Sequence, residues 1–192
     1  MRKYLLTWYG ITDLRASLQL EKTTGPVLGA LLAEDYTDVV ILGFTNPSKS
    51  GEHDNTFAPM IGGLKDLSAT ETRNVIDVFS NTQEAHSHFI DWLQKQLLKA
   101  HKKTTVRIQP VRLEHLNDTE GIYEAATQSL DSVSSESGEK LVTLFLSPGT
   151  PVMAFVWAFA ALRHPNLKKR LIASSQPGKA PENIALPNEW LE

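Results

Sequence analysis

Short apolar runs and amphipathic segments alternate along the chain. The apolar runs are typical of strands covered on both faces of a sheet, and they span Lys3–Trp8, Asp38–Phe44 and Lys140–Leu146. Leu171–Ser175 predicts a further strand. Thr104–Leu113 alternates apolar and polar positions as strands do, and its Pro110 indicates a sheet edge or a bend, because proline donates no ladder hydrogen bond.

Helical periodicity fills the spaces between these strands. One predicted helix begins at Gly25-Pro26, and three others span Thr82–Ala100, Thr119–Val133 and Val152–Arg163. The segment Glu71–Phe79 suits either a strand or a helix. Strands that alternate with helices imply parallel pairing through right-handed crossovers. We therefore predict an α/β fold, a doubly wound, mostly parallel Rossmann-like sheet with helices on both faces. In such sheets the ligand lies outside the carboxyl ends of the strands.

One long segment falls outside this alternation. Asn46–Leu67 is rich in Gly, Pro, Ser and Asn, which predicts a long loop. We predict that it is mobile without ligand and closes over a bound ligand as a lid, with a static packing insertion as the alternative. The apolar residues that would anchor it are Phe57, Met60 and Ile61.

The C-terminal segment is predicted to leave the folded domain. Residues 1–176 form the predicted domain, and residues 177–192 are expected to be an irregular tail or a linker toward a missing output domain. The chain ends in Leu191-Glu192, a pair that a common cloning site leaves before a purification tag. We therefore expect the natural protein to continue beyond residue 192.

The composition disfavours several classes of protein, among them disulfide-rich, membrane-spanning and metal-binding proteins. The 192 residues carry a net charge of −3, so no overall field draws the chain to nucleic acid or to an anionic membrane. The absence of cysteine excludes a disulfide scaffold, a thiolate metal site and a cysteine nucleophile. No apolar stretch reaches the length of a membrane span. We expect a cytoplasmic protein with no membrane partner and no cofactor. We also expect no metal site, because the six histidines lack the spacing of metal ligands.

The loop after the first strand combines aromatic, hydroxyl, acidic and basic side chains. Aromatic faces stack on nucleobases, and a guanidinium pairs with phosphate. The candidate residues are Trp8, Tyr9, Gly10, Thr12, Asp13 and Arg15. In the alternative interpretation the two aromatic residues complete the core, and Arg15 pairs with Asp13.

The loop after the third buried strand reads Ser147-Pro148-Gly149-Thr150-Pro151. Glycine permits close approach of the backbone to a ligand. Thr150 is a good N-cap before a helix whose free N–H groups favour an anion. A simple capped turn is the alternative. The ends of two other strands add weaker candidates, which are Thr45, Asn46 and Ser174.

Several common motifs are absent from the sequence. No Gly-Lys-Ser/Thr follows the glycine turn, and neither GxGxxG nor GxSxG occurs. A dinucleotide cofactor and a hydrolase nucleophile are therefore disfavoured. Lys168-Lys169-Arg170 is predicted to be a solvated C-terminal cap after a helix.

Two of these segments resemble the CARF (CRISPR-associated Rossmann-fold) superfamily. Leu144–Met153, a strand followed by a Gly-Thr-Pro turn and a helix, is similar to the late motif of that family, and it adds Met153 to the candidate residues. Leu5–Asp13 is similar to its first strand and loop. The resemblance covers roughly Lys3 to Ser175.

The resemblance implies a regulatory sensor in CRISPR antiviral defence or transcription regulation. It implies a homodimer that binds a cyclic oligoadenylate or an RNA-end ligand across its two-fold axis and controls a fused output module. Any contact with DNA would pass through that missing module. We therefore expect no enzymatic activity in the chain itself. The alternatives are a metal-independent ring nuclease using Thr12, Ser147 and Thr150, and a plain nucleotide-binding module.

Overall fold

A six-stranded sheet runs through the described part of the protein. The computed structural model describes residues 1–49 and 57–190. The strands are β1 (Arg2–Trp8), β2 (Asp38–Thr45), β3 (Thr105–Arg112), β4 (Lys140–Phe145), β5 (Lys168–Ala173) and β6 (Glu182–Ile184). Their order is β3-β2-β1-β4-β5-β6. The first five strands are parallel, and β6 is antiparallel to β5.

Helices cover both faces of this sheet. They are α1 (Ile11–Ser17), α2 (Pro26–Ala33), α3 (Phe57–Gly62), α4 (Ala69–Phe79), α5 (Gln83–Lys99), α6 (Thr119–Ser135) and α7 (Pro151–Ala160). Buried residues of α6 and α7 form one core with the sheet, and buried residues of α1, α2, α4 and α5 form the other. Because side chains alternate along a strand, Leu5 of β1 joins the second core while Leu6 joins the first. This arrangement is the predicted doubly wound fold.

The order of the strands creates one switch point. The chain builds outward from β1 through β2 to β3, and then returns to place β4 on the other side of β1. Leu6 of β1 pairs with Leu144 of β4, and Thr7 pairs with Phe145. The two strands therefore end side by side, and the turns that follow them diverge to opposite faces. A crevice at this place is the usual ligand site of the fold.

Side-chain caps explain where most of the longer helices begin. The hydroxyls of Ser68 and Thr82 accept hydrogen bonds from the first turns of α4 and α5, and the carboxylate of Asp118 does so for α6. Each such cap satisfies a backbone donor that has no partner inside the helix. The ambiguous segment Glu71–Phe79 is therefore helical.

The predicted strands, the long helices and the edge position of the strand with Pro110 are confirmed. The prediction of a continuous loop after Trp8 is wrong, because Ile11–Ser17 is helical. The prediction of an irregular tail is wrong at Glu182–Ile184, which pairs with β5. Lys168–Arg170 begins β5 and does not cap a helix.

The long loop predicted over Asn46–Leu67 is largely folded in its described part. Pro47–Lys49 and Leu64–Asp66 form single 3-10 turns on either side of α3. Met60 and Ile61 pack against the second core. The described part is therefore packed against the domain, and closure of the segment over a ligand stays a prediction. Residues 50–56 and the side chain of Phe57 lie outside the described parts of the chain.

Candidate functional site

A cavity of about 360 Å³ lies at the switch point, between the turns that follow β1 and β4. Its volume is at the lower end of the range for small-molecule sites. Most of the residues predicted from the sequence line this cavity together, namely Tyr9, Gly10, Thr12, Asp13, Ser147, Pro148, Gly149, Thr150 and Met153. The two candidate loops therefore meet in one concave site.

Two glycines allow the two turns to approach each other. A Cβ atom built on Gly10 would lie 3.1 Å from the backbone nitrogen of Gly149. Gly149 itself has a φ of +94°, a conformation that other residues adopt only with strain. A Cβ atom on Gly149 would lie 2.6 Å from Sδ of Met153. Glycine is therefore required at this position by both conformation and space.

The turn after β4 leads directly into α7. The Thr150 hydroxyl accepts a hydrogen bond from the N–H of Met153 at 3.3 Å, which confirms the predicted N-cap. The Thr150 N–H lies 3.4 Å from Sδ of Met153, a weak acceptor. Among the described residues, the N–H of Gly149 has no hydrogen-bond partner. The turn thus presents a backbone donor beside the positive end of a helix dipole.

Asp13 organises the turn after β1 from within. Its carboxylate is 1% exposed and accepts hydrogen bonds from the N–H groups of Gly10 and Val27, both at 2.9 Å. Burial raises the pKa of Asp13 to about 6, although the two N–H donors act in the opposite direction. The carboxylate thus ties the turn to the first residues of α2.

Tyr9 connects the cavity to a buried histidine. Its hydroxyl lies 2.5 Å from Nδ1 of His86, and Nε2 of His86 lies 2.9 Å from the hydroxyl of Thr45. The Tyr9 ring stacks on Phe89 with 4.4 Å between centroids. Burial lowers the pKa of His86 to about 4 and raises the pKa of Tyr9. A neutral imidazole therefore joins the ends of β1 and β2 to α5. A Cβ atom on Gly43 would lie 2.7 Å from the imidazole ring, so the sheet makes room for it.

Some predicted residues lie elsewhere. Trp8 is fully buried in the first core, so its ring is not available for stacking on a ligand. Arg15 pairs with Glu21 at 2.8 Å, and neither with Asp13 nor with the cavity. Asn46 accepts hydrogen bonds from Ser48 and turns the chain after β2. Trp8, Arg15 and Asn46 therefore support the fold and do not line the cavity.

Ser174 lies beside the cavity without lining it. Its N–H donates to the hydroxyl of Ser147 at 2.7 Å, so it holds the turn after β4 in place. Ser174 lines a second cavity of about 840 Å³, which lies between α2 and the connection from β5 to β6. Thr12 and Pro26 line both cavities, which makes the two spaces neighbours.

Sequence reasoning missed part of the lining. The additional residues are Ile11, Leu14, Pro26, Phe44, Ser80, Asn81 and Leu116. Ser80 and Asn81 form the turn between α4 and α5, where Asn81 has a φ of +62°. The only sequence signal for Ser80 and Asn81 is a polar pair between two helical patterns. Such a pair indicates a turn but does not show that the turn lies at the cavity.

The lining carries little charge and offers hydroxyls, backbone groups and apolar surface. Asp13 is the only charged residue among the described lining residues, and its carboxylate is already hydrogen-bonded to the backbone. Within residues 1–49 and 57–190, no group of three or more acidic or histidine side chains is placed to hold a metal ion. In the same residues, no helix combines the length and the apolar character that crossing a membrane requires.

The fold and the crevice together define a Rossmann-like α/β domain with a switch-point site. The sequence matches no protein-family model, and no curated protein is significantly similar to it. Among solved structures, the chain is similar to Enterococcus italicus Csm6 bound to cyclic hexa-2′-fluoro-hexa-dAMP, with a TM-score of 0.62 and 18% identity. The match covers 94% of this chain and 35% of that one. This similarity confirms the predicted Rossmann-like α/β fold.

Proposed function

We propose that this chain is a sensor domain that binds a cyclic oligoadenylate at the switch-point cavity. The observation that carries the proposal is the meeting of two glycine turns at the ends of β1 and β4. A solved structure with a similar fold, Enterococcus italicus Csm6, holds a cyclic hexanucleotide analogue.

The turn after β4 is suited to a phosphate. Gly149 has no side chain that would shield its backbone N–H, so an anion can approach the backbone closely. It stands directly before α7, whose dipole favours negative charge at this end. Hydroxyls of Thr12 and Ser147 line the same space and add uncharged donors.

Apolar lining residues supply a surface for a base. Ile11 and Leu116 are about half exposed, at 50% and 48%, and both line the cavity with Phe44. Exposed apolar side chains in a crevice provide contact area for a nucleobase face. The Tyr9 ring is held by Phe89 on one side, so its position is fixed before a ligand binds.

The exposed face of α7 supports the proposed homodimer. Phe155 and Phe159 are 55% and 54% exposed, and their rings lie 4.7 Å apart. The domain itself therefore leaves this face of α7 uncovered. Apolar patches of this kind are typical of protein interfaces. A partner on this face would stand beside the glycine turn, which opens α7.

The sensor would act through a fused output module. The chain spans 35% of the length of the Csm6 chain that it matches, so a longer protein of that kind has room for a further domain. We propose that the natural protein works in the cytoplasm in CRISPR antiviral defence, or in transcription regulation, and that ligand binding changes the activity of that module.

A second candidate function is cleavage of the bound ligand. The hydroxyls of Thr12, Ser147 and Thr150 all lie on the cavity, where they are able to orient a scissile phosphodiester. Alignment of a ribose 2′-hydroxyl with the phosphate is a source of rate enhancement that needs no acidic or basic side chain. This arrangement would make the chain a ring nuclease.

Incubation of the purified chain with cyclic oligoadenylates of three to six nucleotides separates the two functions. The sensor proposal predicts stable binding with the ligand recovered intact. Linear products with 2′,3′-cyclic phosphate ends, formed within minutes and lost on Thr150→Ala, would instead establish the ring nuclease.

A further inference from the structure

The switch-point cavity has too little positive charge for the ligand proposed for it. A cyclic oligoadenylate carries one negative charge for each phosphate, yet no lysine, arginine or histidine is among the described residues that line the cavity. Arg15, the cation that the sequence suggested, is neutralised by Glu21 at 2.8 Å. Backbone dipoles alone offset part of one phosphate charge. Further phosphates therefore need cations from a neighbouring surface.

The second cavity provides such a surface. It measures about 840 Å³ and adjoins the first at Thr12 and Pro26. Among the described residues, its lining includes two lysines, Lys22 and Lys179, and no acidic residue. The rest is formed mainly by small and hydroxyl-bearing residues of the α1–α2 connection and of the segment after β5. This groove is open, and the charged residues that line it in the described part of the chain are both lysines.

The two lysines are not engaged by the protein itself. Within the described residues, neither ammonium group forms an ion pair or a side-chain hydrogen bond, although Lys3 pairs with Glu34 and Lys102 with Asp35. Both lysines are exposed, so folding does not depend on their charge. Two free cations from separate segments that line one groove are available to bind an anion.

We propose that this groove is a second phosphate subsite, in which Lys22 and Lys179 bind a phosphate of the same ligand next to the nucleotide in the switch-point cavity. The proposal rests on the proposed function, since it assigns a further part of the same oligonucleotide. It explains how a chain of net charge −3 accommodates a polyanion. Ser174 then belongs to both sites, because it lines the groove and fixes Ser147.

The test compares Lys22→Gln/Lys179→Gln with the matched control Lys95→Gln/Lys99→Gln. The control removes two exposed lysines of α5 that line neither cavity. Binding of cyclic hexaadenylate is measured by calorimetry from low to moderate salt. We expect the groove variant to bind on the order of tenfold more weakly at low salt. Loss of this one phosphate site should also reduce the slope of log affinity against log salt by about 0.7. Matching urea midpoints of both variants would show that the fold is intact.

The outcomes distinguish the inference from the function on which it rests. If the groove variant binds like the control while Gly149→Val abolishes binding, the second subsite is wrong and the sensor function stands. If the wild-type chain binds no cyclic oligoadenylate at any salt concentration, the sensor function fails, and the subsite fails with it.

Discussion

Gly149→Ala tests the packing of the turn at the centre of the site. Gly149 has a φ of +94°, and a Cβ atom there would lie 2.6 Å from Sδ of Met153 and 3.4 Å from Cβ of Trp8. Gly138 supplies a matched control, because its φ is +96° and no atom of the described residues lies within 4 Å of the position that an added Cβ atom would take. Both substitutions incur the same backbone strain, and only the first also displaces a buried side chain.

The expected magnitudes follow from these two effects. An alanine at positive φ costs about 1–2 kcal/mol, which is the full effect expected for Gly138→Ala. At Gly149, the contact of 2.6 Å is about 1 Å shorter than an ordinary nonbonded contact. Met153 is 2% exposed and has little room to move. Overpacking of this kind adds about 1–3 kcal/mol, so Gly149→Ala should lose about 2–5 kcal/mol.

Urea unfolding monitored by tryptophan fluorescence measures both losses. The free energies of unfolding are comparable if the slopes against urea concentration agree. Equal losses for the two alanine variants would refute the reasoning, because they would show that the Gly149 turn is no more tightly packed than an open turn. A larger loss at Gly149 together with lost binding would tie the packing to the ligand site.

Three other predictions address the capping residue, the buried carboxylate and the exposed helix face. Thr150→Ala should cost about 1 kcal/mol of unfolding free energy through loss of the cap, and Thr150→Ser should restore most of it. The folded pKa of Asp13, about 6, lies above its ordinary value of 3.8, so its contribution is present at low pH and lost as the pH rises through 6. The folded pKa of His86, about 4, lies below its ordinary value of 6.5, so its contribution is lost as the pH falls. As the pH falls, protonation of Asp13 therefore offsets the destabilisation that comes from His86. Asp13→Asn removes this offset, so between about pH 6.5 and 4 the free energy of unfolding should fall by about 3 kcal/mol more than in the wild type. An unchanged pH profile would contradict this assignment. In sedimentation, Phe155→Glu should produce a monomer from the proposed dimer, whereas Leu98→Glu, at a still more exposed position on α5, should not.

The strands were predictable from the sequence because buried parallel strands are nearly continuous apolar runs. Asp38–Thr45 and Lys140–Phe145 are of this kind, and their order in the chain with intervening helices implied the doubly wound fold. The cap of α7 was also predictable, since Thr150 and Pro151 are local signals. These features depend on residues that are adjacent in sequence.

The features that sequence reasoning missed depend on contacts between distant residues. α1 spans seven residues, which is too short for a clear helical period, and Asp13 fixes its start by bonding to Gly10 and to Val27 of the next helix. β6 has three residues, all exposed, so no apolar pattern marks it. Arg15 was assigned to the ligand because its partner Glu21 is not apparent from the spacing alone.

Calorimetric titration of the wild-type chain with cyclic hexaadenylate tests the central claim most directly. Gly149→Val is titrated in parallel, with Gly138→Val as the control for strain alone. We predict saturable binding to the wild type and to the Gly138 variant, and none to the Gly149 variant. The absence of heat with the wild type, or equal binding by both variants, would contradict the assignment of the switch-point cavity as the ligand site.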